Sequence, residues 1–479
     1  MSSNALSAPA PGQNAHEAKA ARIALFVFIA LFLGAWLWAA VALVAPHRDE
    51  FMTRDSYAYA ASAEAILQTG HFSVSPGDAT PQTLLVPGYP LFLAAIYGSF
   101  GASPATVSAI QALLVCATAW MVFLLGQLAA SPAVGALASG LYLLDPNVLG
   151  LSLYTLSETL FTFFLALTIL LAVRARLRDS LWTALAAGLA SAAATLTREI
   201  SLYFLVILAV YLLVTSHGGL HFDLKWRRCL PFALGALLLI APWALRTREL
   251  TGSWSLAQID AVNLLFFRAA DVLAVADGTS LAQARERLGG GDYHALRRAA
   301  LEHPSSGLAA EWRRKAARTL LAHPVVLAER MTLHAAVLLF DPADDWLTRP
   351  FAGGVEKHGP IGDLRRFAAG EWVKTWLVER PLAGMIFLWA CFFLLASYLG
   401  TLAAGVTYFA RGRGHTVAEI AIATVVYFTV ISAGPEAYCR FREPIAPALS
   451  VLAALGLHGG VKWWKGRLQT RRKEASSGG

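Results

Sequence analysis

The feature that most constrains the fold of this chain is a series of apolar runs, many of them long enough to cross a membrane. A transmembrane helix needs about 20 apolar residues to span the hydrocarbon core. The chain contains eleven apolar runs, at residues 23–45, 84–100, 105–130, 132–144, 157–173, 181–196, 200–216, 230–245, 383–410, 416–433 and 444–461. They predict an all-α integral membrane protein.

Composition supports the same class. Of 479 residues, 57% are hydrophobic and only 15% are charged, whereas soluble domains carry about 25% charged residues. The net charge of +8 lies in short basic clusters between the apolar runs, a distribution typical of membrane topology rather than of nucleic-acid binding. The four cysteines have no paired spacing and indicate buried thiols rather than a metal cluster or disulfides: Cys116, Cys229, Cys391 and Cys439.

Positive charges decide how many runs cross the membrane. If all eleven did, the basic linker Arg174–Arg178 would face outward, against the positive-inside rule. If the run 84–100, which contains Pro87, Gly88 and Pro90, lies along the outer surface instead, every cluster faces the cytoplasm. These clusters are Lys19/Arg22, Arg174–Arg178, Lys225–Arg228, Arg411/Arg413 and Lys462–Lys473. We therefore predict about ten transmembrane helices with both termini inside.

This topology divides the chain into five segments. Arg22 begins an apolar stretch that is too long for the h-region of a cleaved signal peptide, so it is predicted to be a signal-anchor. The stretch Trp312–Phe340, basic and then apolar, is a candidate interfacial helix. The predicted segments are a disordered cytoplasmic tail (1–21), a transmembrane module (22–250) with a first outer loop (46–104), an outer helical insertion (251–381), C-terminal transmembrane helices (382–461) and a basic cytoplasmic tail (462–479).

Charged residues gather at the outer rim that this topology defines. The acids are Asp49, Glu50, Asp55, Asp145, Glu158 and Glu199, and the arginines are Arg54, Arg198, Arg246, Arg248, Arg440 and Arg442. Ionisable groups concentrated at one lip of a membrane protein usually mark a functional site.

Each of these residues also has a simpler structural interpretation. A carboxylate that opens a helix, such as Glu158, is stabilised by the helix dipole. The neighbours Arg198 and Glu199 could form a local ion pair, and an arginine that ends a span, such as Arg246, could reach the interface. Arg440 and Arg442 alternate by two, so one could face a cavity and the other lipid. Their joint placement at one depth is what favours chemistry, with a carboxylate as general base and arginines that bind phosphate.

Four stretches of the chain form recognisable motifs. They are Asp55-Ser56-Tyr57 through Ala61, Leu67, Gly70 and Phe72 to Pro87-Gly88-Tyr89-Pro90-Leu91-Phe92-Leu93-Ala94; Ser157–Phe161; Pro242–Arg246; and Arg440-Phe441-Arg442-Glu443-Pro444. Together they resemble the C-type (GT-C) membrane glycosyltransferases, especially the branch of protein O-mannosyltransferases, the lipid A aminoarabinose transferase and their bacterial relatives. The resemblance covers most of residues 22–255 and 380–460 in the family's order.

The resemblance implies a sugar donor on a polyprenyl phosphate, used on the periplasmic side, with a catalytic aspartate in the first outer loop. Asp55 matches that position. Tyr57 and Tyr89, in the same resembling stretch, become candidate substrate-binding residues. Family members place surface helices in this loop, in agreement with the topology above, and the insertion 251–381 would be related to the acceptor.

The chain also departs from the family's pattern. The aminoarabinose transferase has a lysine beside a proline in the first loop that helps to hold phosphate, whereas the stretch Leu84–Pro87 has none. Phosphate binding would then fall to Arg246, Arg440 or Arg442, with Arg198 as a further candidate. Some relatives bind a divalent metal, but the Glu and His ligands cannot be placed here. The histidines His47, His71 and His334 stay unassigned, no cofactor is assigned, and a divalent metal is left open.

The function predicted from the sequence is an inverting glycosyltransferase of a bacterial inner membrane, acting as a monomer. It would transfer a sugar from a polyprenyl-phosphate donor to a lipid, a lipopolysaccharide or polysaccharide, or a protein. Asp55 would be the base, and Glu158 a second acid that orients the acceptor or sugar. A transporter or lipid flippase is the alternative, although transporters place charges near mid-bilayer in paired halves. A non-catalytic assembly subunit of the same fold is a third.

Overall fold

The computed structural model describes residues 11–216, 222–343, 346–347, 381–411 and 416–477. The described residues are mostly helical, with two short antiparallel hairpins. The first half contains α1 (Pro11–Ala39), α2 (Arg54–Thr69), β1 (Ser73–Ser75), β2 (Asp78–Pro81), α3 (Gly88–Phe100), α4 (Pro104–Ala129), α5 (Pro132–Leu143), α6 (Pro146–Leu151), α7 (Glu158–Arg178), α8 (Leu181–Thr197), α9 (Phe204–Leu213), β3 (Val214–Ser216), β4 (Phe222–Leu224) and α10 (Trp226–Thr251).

The second half contains the insertion and the last apolar helices. These are α11 (Ile259–Asn263), α12 (Ala270–Asp277), α13 (Leu281–Arg287), α14 (Tyr293–Glu302), α15 (Leu308–Ala322), α16 (Pro324–Phe340), α17 (Pro381–Arg411), α18 (Thr416–Ser432) and α19 (Ala446–Ser477). Short 3-10 turns cover Arg48–Phe51, Glu199–Ser201 and Cys439–Ile445, and π-helical turns cover Ala40–Val44 and Leu264–Ala269.

The prediction of an all-α membrane protein is confirmed. Among the described residues, six helices are long and apolar enough to cross a membrane: Lys19–Val44, Pro104–Ala129, Glu158–Arg178, Trp226–Thr251, Gly384–Thr407 and Cys439–Thr470. Four shorter apolar helices lie at the other predicted spans: Pro132–Leu143, Leu181–Thr197, Glu199–Leu213 and Thr416–Ser432. The run 84–100 contains only the 13-residue helix α3, which is too short to cross the hydrocarbon core.

The bundle is packed closely enough that backbones touch. Helices α8 and α10 meet at Gly188, where a Cβ would lie 2.0 Å from the carbonyl oxygen of Phe232. Gly235 on α10 approaches the carbonyl oxygen of Leu185 in the same way, at 2.3 Å. Small residues allow such close packing between membrane helices, where apolar side chains gain nothing over lipid. This contact holds the first half of α8 against α10.

The insertion forms a second apolar core beside the bundle. Leu265, Phe266, Leu296 and Trp312 are buried together with Leu84 of the first outer loop. The backbone N–H of Gln258 donates to the carbonyl oxygen of Thr83 over 2.8 Å, which joins the two segments again. The insertion therefore packs on the first outer loop, the loop that carries Asp55. Residues 344–345 and 348–380, predicted to belong to the insertion, lie outside the described residues.

Two local details differ from the sequence prediction. Helix α1 begins at Pro11, so residues 11–21 are helical where the sequence predicted disorder. The Ala-, Glu- and Lys-containing stretch there consists mostly of good helix formers. Residues 1–10 of that tail, Arg413 of one basic cluster and the last two residues lie outside the described part. The predicted interfacial stretch 312–340 contains two helices that meet at Pro324, and its apolar residues Val325 and Phe340 are exposed.

Candidate active site

Two carboxylates that are distant in sequence meet at one guanidinium. Arg440 donates from Nη1 to Oδ2 of Asp55 over 2.8 Å and from Nε to Oε1 of Glu158. Asp55 lies in the first turn of α2, which begins with a capping box formed by Thr53 and Ser56. Glu158 is the first residue of α7, and Arg440 lies in the 3-10 turn before α19. Three separate elements therefore supply the centre of the site, which we call the Arg440 cluster.

A second arginine completes the Arg440 cluster. Arg198, between α8 and the following 3-10 turn, donates from Nη1 to Oε1 of Glu158 over 2.5 Å and to Oγ of Ser157 over 3.0 Å. Its guanidinium also lies over the ring of Phe441, 5.6 Å from the centroid. The sequence left open a local ion pair between Arg198 and Glu199. The structure pairs Arg198 with Glu158 instead.

The members of the Arg440 cluster differ in exposure. The side chain of Asp55 is 42% exposed, while those of Arg440 and Glu158 are 8% and 1% exposed. Oδ1 of Asp55 has no hydrogen-bond partner among the described residues, since the contact from Arg440 uses Oδ2. Asp55 is thus the accessible carboxylate, whereas Glu158 is buried and pairs with Arg198 and Arg440.

Electrostatics favour the ionised form of Asp55. Burial raises the pKa of its carboxyl, but the charge and hydrogen bond of Arg440 act the other way, with smaller effects from Arg198 and Arg297. The net result is a pKa below the usual value for an aspartate. Asp55 therefore carries a negative charge at neutral pH and can accept a proton.

Tyr59 is a neighbour of the cluster that the sequence analysis did not single out. It lies one helical turn after Asp55, and its hydroxyl is 3.4 Å from Oγ of Ser157. Burial and then the charge of Asp55 raise the pKa of Tyr59 to about 12. The phenol thus stays protonated and can donate a hydrogen bond. The i, i+4 spacing from Asp55 is the signal that could have found it.

The two tyrosines that were predicted to bind substrate lie in different environments. Tyr89 is fully buried and packs edge-on against Tyr59, with ring centroids 5.0 Å apart. Its hydroxyl donates to Oε1 of Gln111 over 2.9 Å, which makes it a support behind Tyr59. Tyr57 is 53% exposed, and its hydroxyl is 3.5 Å from a carboxylate oxygen of Asp49. Only Tyr57 presents a surface that a substrate could contact.

Arg246 lies away from the Arg440 cluster. Its guanidinium stacks 4.6 Å from the ring centroid of Trp243 and donates to the carbonyl oxygens of Phe72 and Gln82 at 3.2 and 3.3 Å. These contacts hold the β1–β2 hairpin against α10. A cavity of about 260 Å³ borders Arg246 together with His71.

Arg442 also points elsewhere. It is 1% exposed, and its Nη1 donates to the carbonyl oxygens of Leu338, Leu339 and Asp341 at 3.2, 3.1 and 2.7 Å. These carbonyls lie at the C-terminal end of α16, where a cation is favourable. Arg440 and Arg442 thus face different elements, as their spacing allowed, and the structure brings only Arg440 to the carboxylates.

The other charged residues of the rim have separate contacts. Oδ1 of Asp145 accepts from the backbone N–H of Asn147 and caps α6. Arg248 stacks over Trp254 at 4.2 Å from the ring centroid. Asp49 is exposed and lies 3.9 Å from Arg48. None of these three joins the Arg440 cluster.

Helix α14 of the insertion reaches the edge of the Arg440 cluster. Arg54, which precedes Asp55, donates from Nη1 to Nε2 of His294 over 2.9 Å. Arg297 follows one turn later, and its charge helps to lower the pKa of Asp55. Neither α14 residue could be predicted, because nothing in the sequence of the insertion indicates which of its helices faces the first loop.

The arrangement does not fit a metal site. Within the described ranges, no three His, Cys, Asp or Glu side chains converge as they would around a metal ion. At the cluster itself the two carboxylates are already bridged by Arg440. His334 lies elsewhere, 3.3 Å from Arg330 beside a cavity of about 150 Å³. We therefore assign no reaction step to a metal.

Residues 79–245 match the family described as dolichyl-phosphate-mannose-protein mannosyltransferase. This match confirms the resemblance to GT-C membrane glycosyltransferases. The matched part contains Tyr89, Glu158 and Arg198, while Asp55 and Arg440 lie outside it. No curated protein matches the sequence of the chain.

One solved structure of a transferase shows a similar fold. The apo oligosaccharyltransferase of Archaeoglobus fulgidus is 14% identical to this chain, with a TM-score of 0.50, and the match covers 95% of this chain and 52% of that one. The oligosaccharyltransferase AglB of the same organism, in complex with an inhibitory peptide and a dolichol-phosphate, gives 15% identity, a TM-score of 0.47 and coverage of 94% and 52%. The chain spans about half the length of these structures, and identity at this level shows the fold alone.

Proposed function

We propose that this chain is an inverting glycosyltransferase that moves a sugar from a polyprenyl-phosphate donor to an acceptor. The observation that carries the proposal is the half-exposed carboxylate of Asp55, held through one oxygen by Arg440 and with its other oxygen open. The matched family, described by a dolichyl-phosphate-mannose donor, supports a lipid-linked sugar. Clustered carboxylates and arginines between apolar helices suit such a reaction, because the donor carries its phosphate at the membrane surface.

The chemistry follows from the open oxygen of Asp55. The acceptor hydroxyl or amine would donate a hydrogen bond to Oδ1, and Asp55 would take its proton as the bond to the sugar forms. The acceptor atom attacks the anomeric carbon on the face opposite the phosphate. The bond between that carbon and the phosphate oxygen breaks, its electron pair leaves with the polyprenyl phosphate, and the anomeric centre is inverted.

Arg440 and Glu158 have positioning roles in this proposal. Arg440 bridges Asp55 and Glu158, which fixes the rotamer of Asp55 relative to the bundle. Glu158 is sealed from solvent, so it acts through Arg440 and Arg198 rather than on the sugar. The sequence predicted that Glu158 orients the acceptor or sugar. In this proposal it does so indirectly, by holding Arg198 and Arg440 in place. Holding a reacting group in place contributes several kcal/mol to catalysis, roughly 7–11 kcal/mol in the most favourable systems.

The location of the site is part of the proposal. The apolar helices make the chain a multi-pass membrane protein. We infer from the positive-inside rule that both termini are cytoplasmic. The Arg440 cluster would then face the periplasm of a bacterial inner membrane. The insertion packs on the first outer loop and is the part of the chain best placed to meet an acceptor, whether lipid, glycan or protein.

Mass spectrometry of the cell envelope tests the proposal. We compare the wild type with a deletion strain, Asp55→Asn, and the matched control Asp49→Asn in the same loop, whose side chain is exposed. A glycan that lacks one sugar in the deletion and Asp55→Asn strains, but not in Asp49→Asn, is the expected result. Loss in the deletion strain alone would reject Asp55 as the base and favour a transporter or flippase.

A further inference from the structure

The charges inside the Arg440 cluster already balance. Glu158 is shared by Arg198 and Arg440, and Asp55 is paired with Arg440. Two carboxylates and two guanidinium groups leave no net positive charge. A polyprenyl-phosphate donor brings a negative charge that grows on the phosphate as the sugar leaves, and its stabilisation needs cations that are not already neutralised. Those cations must lie close to the cluster without being part of it.

Arg54 is the first such cation. It is exposed and directly precedes Asp55 at the start of α2. In the described part of the chain it pairs with no carboxylate, and its Nη1 donates to Nε2 of His294 on α14 over 2.9 Å. A guanidinium can only donate, so this nitrogen of His294 is the acceptor. The full charge of Arg54 is thus available at the rim.

Arg297 is the second. It follows His294 by three residues on α14, so the two side chains share a face of that helix. Its guanidinium carbon lies 5.6 Å from the ring centroid of Tyr293. The described residues contain no carboxylate within ion-pair distance of Arg297, yet its charge is close enough to stabilise the ionised form of Asp55. Arg297, on the insertion, therefore lies near Asp55.

Helix α14 is fixed firmly enough to present these groups. Asp292 caps its N-terminus by accepting from the backbone N–H groups of His294 and Ala295. The hydroxyl of Tyr293 donates to Oδ1 of Asn263 over 3.1 Å. Leu296 is buried in the core of the insertion. The positions of His294 and Arg297 are therefore set by the packing of the insertion.

We propose that Arg54, His294 and Arg297 form the phosphate-binding part of the donor site. We call these three residues the seam cluster, because they join the first outer loop to the insertion. The proposal rests on the function proposed above, and the ligand would be a phosphate group at the end of a lipid. Guanidinium groups bind phosphate through paired, charge-assisted hydrogen bonds. The insertion would then supply donor-binding residues, in addition to any role with the acceptor.

A binding measurement tests the seam cluster. The full-length protein is placed in phosphatidylcholine nanodiscs, and the Kd of radiolabelled undecaprenyl phosphate is measured for the wild type, Arg54→Gln and Arg297→Gln. Arg298→Gln is the matched control, since Arg298 is an exposed neighbour on the same helix. Each seam variant should weaken binding at least about tenfold, which is the loss expected for one charge-assisted hydrogen bond. Arg298→Gln should bind as the wild type does, and Arg297→Lys should recover part of the affinity.

Competition experiments distinguish a polyprenyl phosphate from other phospholipids. They also distinguish failure of the seam cluster from failure of the proposed function. Undecaprenol, which lacks the phosphate, should not compete, and phosphatidylglycerol should compete weakly. Equal competition by phosphatidylglycerol would show a general headgroup site and overturn the assignment to the donor. Wild-type affinity in Arg54→Gln and Arg297→Gln would overturn the seam cluster while the polyprenyl-phosphate donor stands. Equal binding of undecaprenol and undecaprenyl phosphate by the wild type would overturn both proposals. Unchanged thermal unfolding of each variant excludes misfolding.

Discussion

At the scale of single residues, Arg440 connects the two carboxylates of the site through two hydrogen bonds. One nitrogen holds Asp55 and another holds Glu158, so a single planar group sets the distance between the first outer loop and α7. Lysine has the charge of arginine but one nitrogen, and it cannot reproduce two directed contacts. The geometry of arginine therefore matters here as much as its charge.

Replacing Arg440 by lysine tests that geometry. We expect kcat/KM for sugar transfer to fall by about 100-fold, the loss typical of a catalytic group displaced by about 1 Å. The same change at Arg248, which stacks on Trp254 outside the cluster, should leave kcat/KM unchanged. Equal kinetics for Arg440→Lys and the wild type would remove the positioning role. Steady-state assays on purified full-length protein give the comparison.

The dependence of activity on pH tests the electrostatics of Asp55. Arg440 is the main group that lowers the pKa of this carboxyl below its ordinary value of about 3.9. A base with a lowered pKa stays ionised as the pH falls, and its activity is lost only when the pH passes below that pKa. In Arg440→Gln the effect of burial is less opposed, so the pKa of Asp55 should rise and the acid limb of kcat/KM should move to higher pH. An acid limb at the same pH in both proteins would contradict this account.

At the scale of secondary-structure elements, the start of α2 positions the proposed base. Thr53 and Ser56 form a capping box around Asp55, with the backbone N–H of Thr53 donating to Oγ of Ser56 over 3.0 Å. A capping residue fixes both the first residue and the entry angle of its helix. The direction of the Asp55 side chain therefore depends on the cap as well as on Arg440.

Thr53→Ala tests this link, and the chain offers a matched control. Ser280 and Gln283 form the same motif at α13 in the insertion, where neither residue contacts Asp55. Loss of either cap should cost about 1 kcal/mol of stability. Thr53→Ala should also lower the transfer rate severalfold, whereas Ser280→Ala should not. Thermal unfolding and transfer assays on both variants separate stability from positioning. Similar transfer rates in the two variants would contradict the role of the α2 cap.

The sequence predicted the elements better than it predicted the site. Length and apolar composition locate the spans, and Pro87, Gly88 and Pro90 explain why the run 84–100 shortens to the 13-residue helix α3. Glu158, Arg198 and Arg440 could be named as candidates because each lies near the end of an apolar run, and Asp55 because it lies in the first outer loop. Their contact could not be predicted, since Asp55 and Arg440 are separated by 385 residues.

The choice between arginines needed the structure for a physical reason. Arg440 and Arg442 belong to the same 3-10 turn and differ only in which neighbour each side chain meets. One meets two carboxylates and the other the carbonyl end of α16. The contribution of α14 was equally hidden, because Arg54 and His294 are 240 residues apart. Helix ends and apolar periodicity depend on neighbouring residues and can be predicted from the sequence. Side-chain contacts between residues that are hundreds of positions apart cannot.

At the scale of the whole molecule, the insertion is fastened to the bundle on two sides. It packs on the first outer loop through Leu84 and the Gln258–Thr83 hydrogen bond. Arg268 also donates from Nη2 to the carbonyl oxygen of Ile431 over 2.5 Å and from Nε to Glu436 over 3.2 Å. The second attachment holds the segment that leads to Arg440. The insertion therefore supports the Arg440 cluster from outside the bundle.

The proposed orientation of the molecule predicts which surfaces a membrane-impermeant thiol reagent can reach. Ser305 is exposed in the insertion, and Arg178 is exposed at the C-terminal end of α7. We expect Ser305→Cys to react with a maleimide in intact spheroplasts, and Arg178→Cys to react only after the membrane is opened. The chain without either substitution corrects for the four native cysteines, which are buried or half-buried. The reverse labelling pattern would place the Arg440 cluster in the cytoplasm.

The most direct test of the central claim is single-turnover transfer by purified full-length protein. A labelled polyprenyl-phosphate hexose is the donor, an envelope extract from the deletion strain supplies the acceptor, and release of polyprenyl phosphate is followed with time. We expect rapid transfer by the wild type and by Asp49→Asn, and a rate lowered by about 100-fold or more in Asp55→Asn, because a positioned general base is lost. Transfer by Asp55→Asn at the wild-type rate would contradict the role of Asp55 as the base.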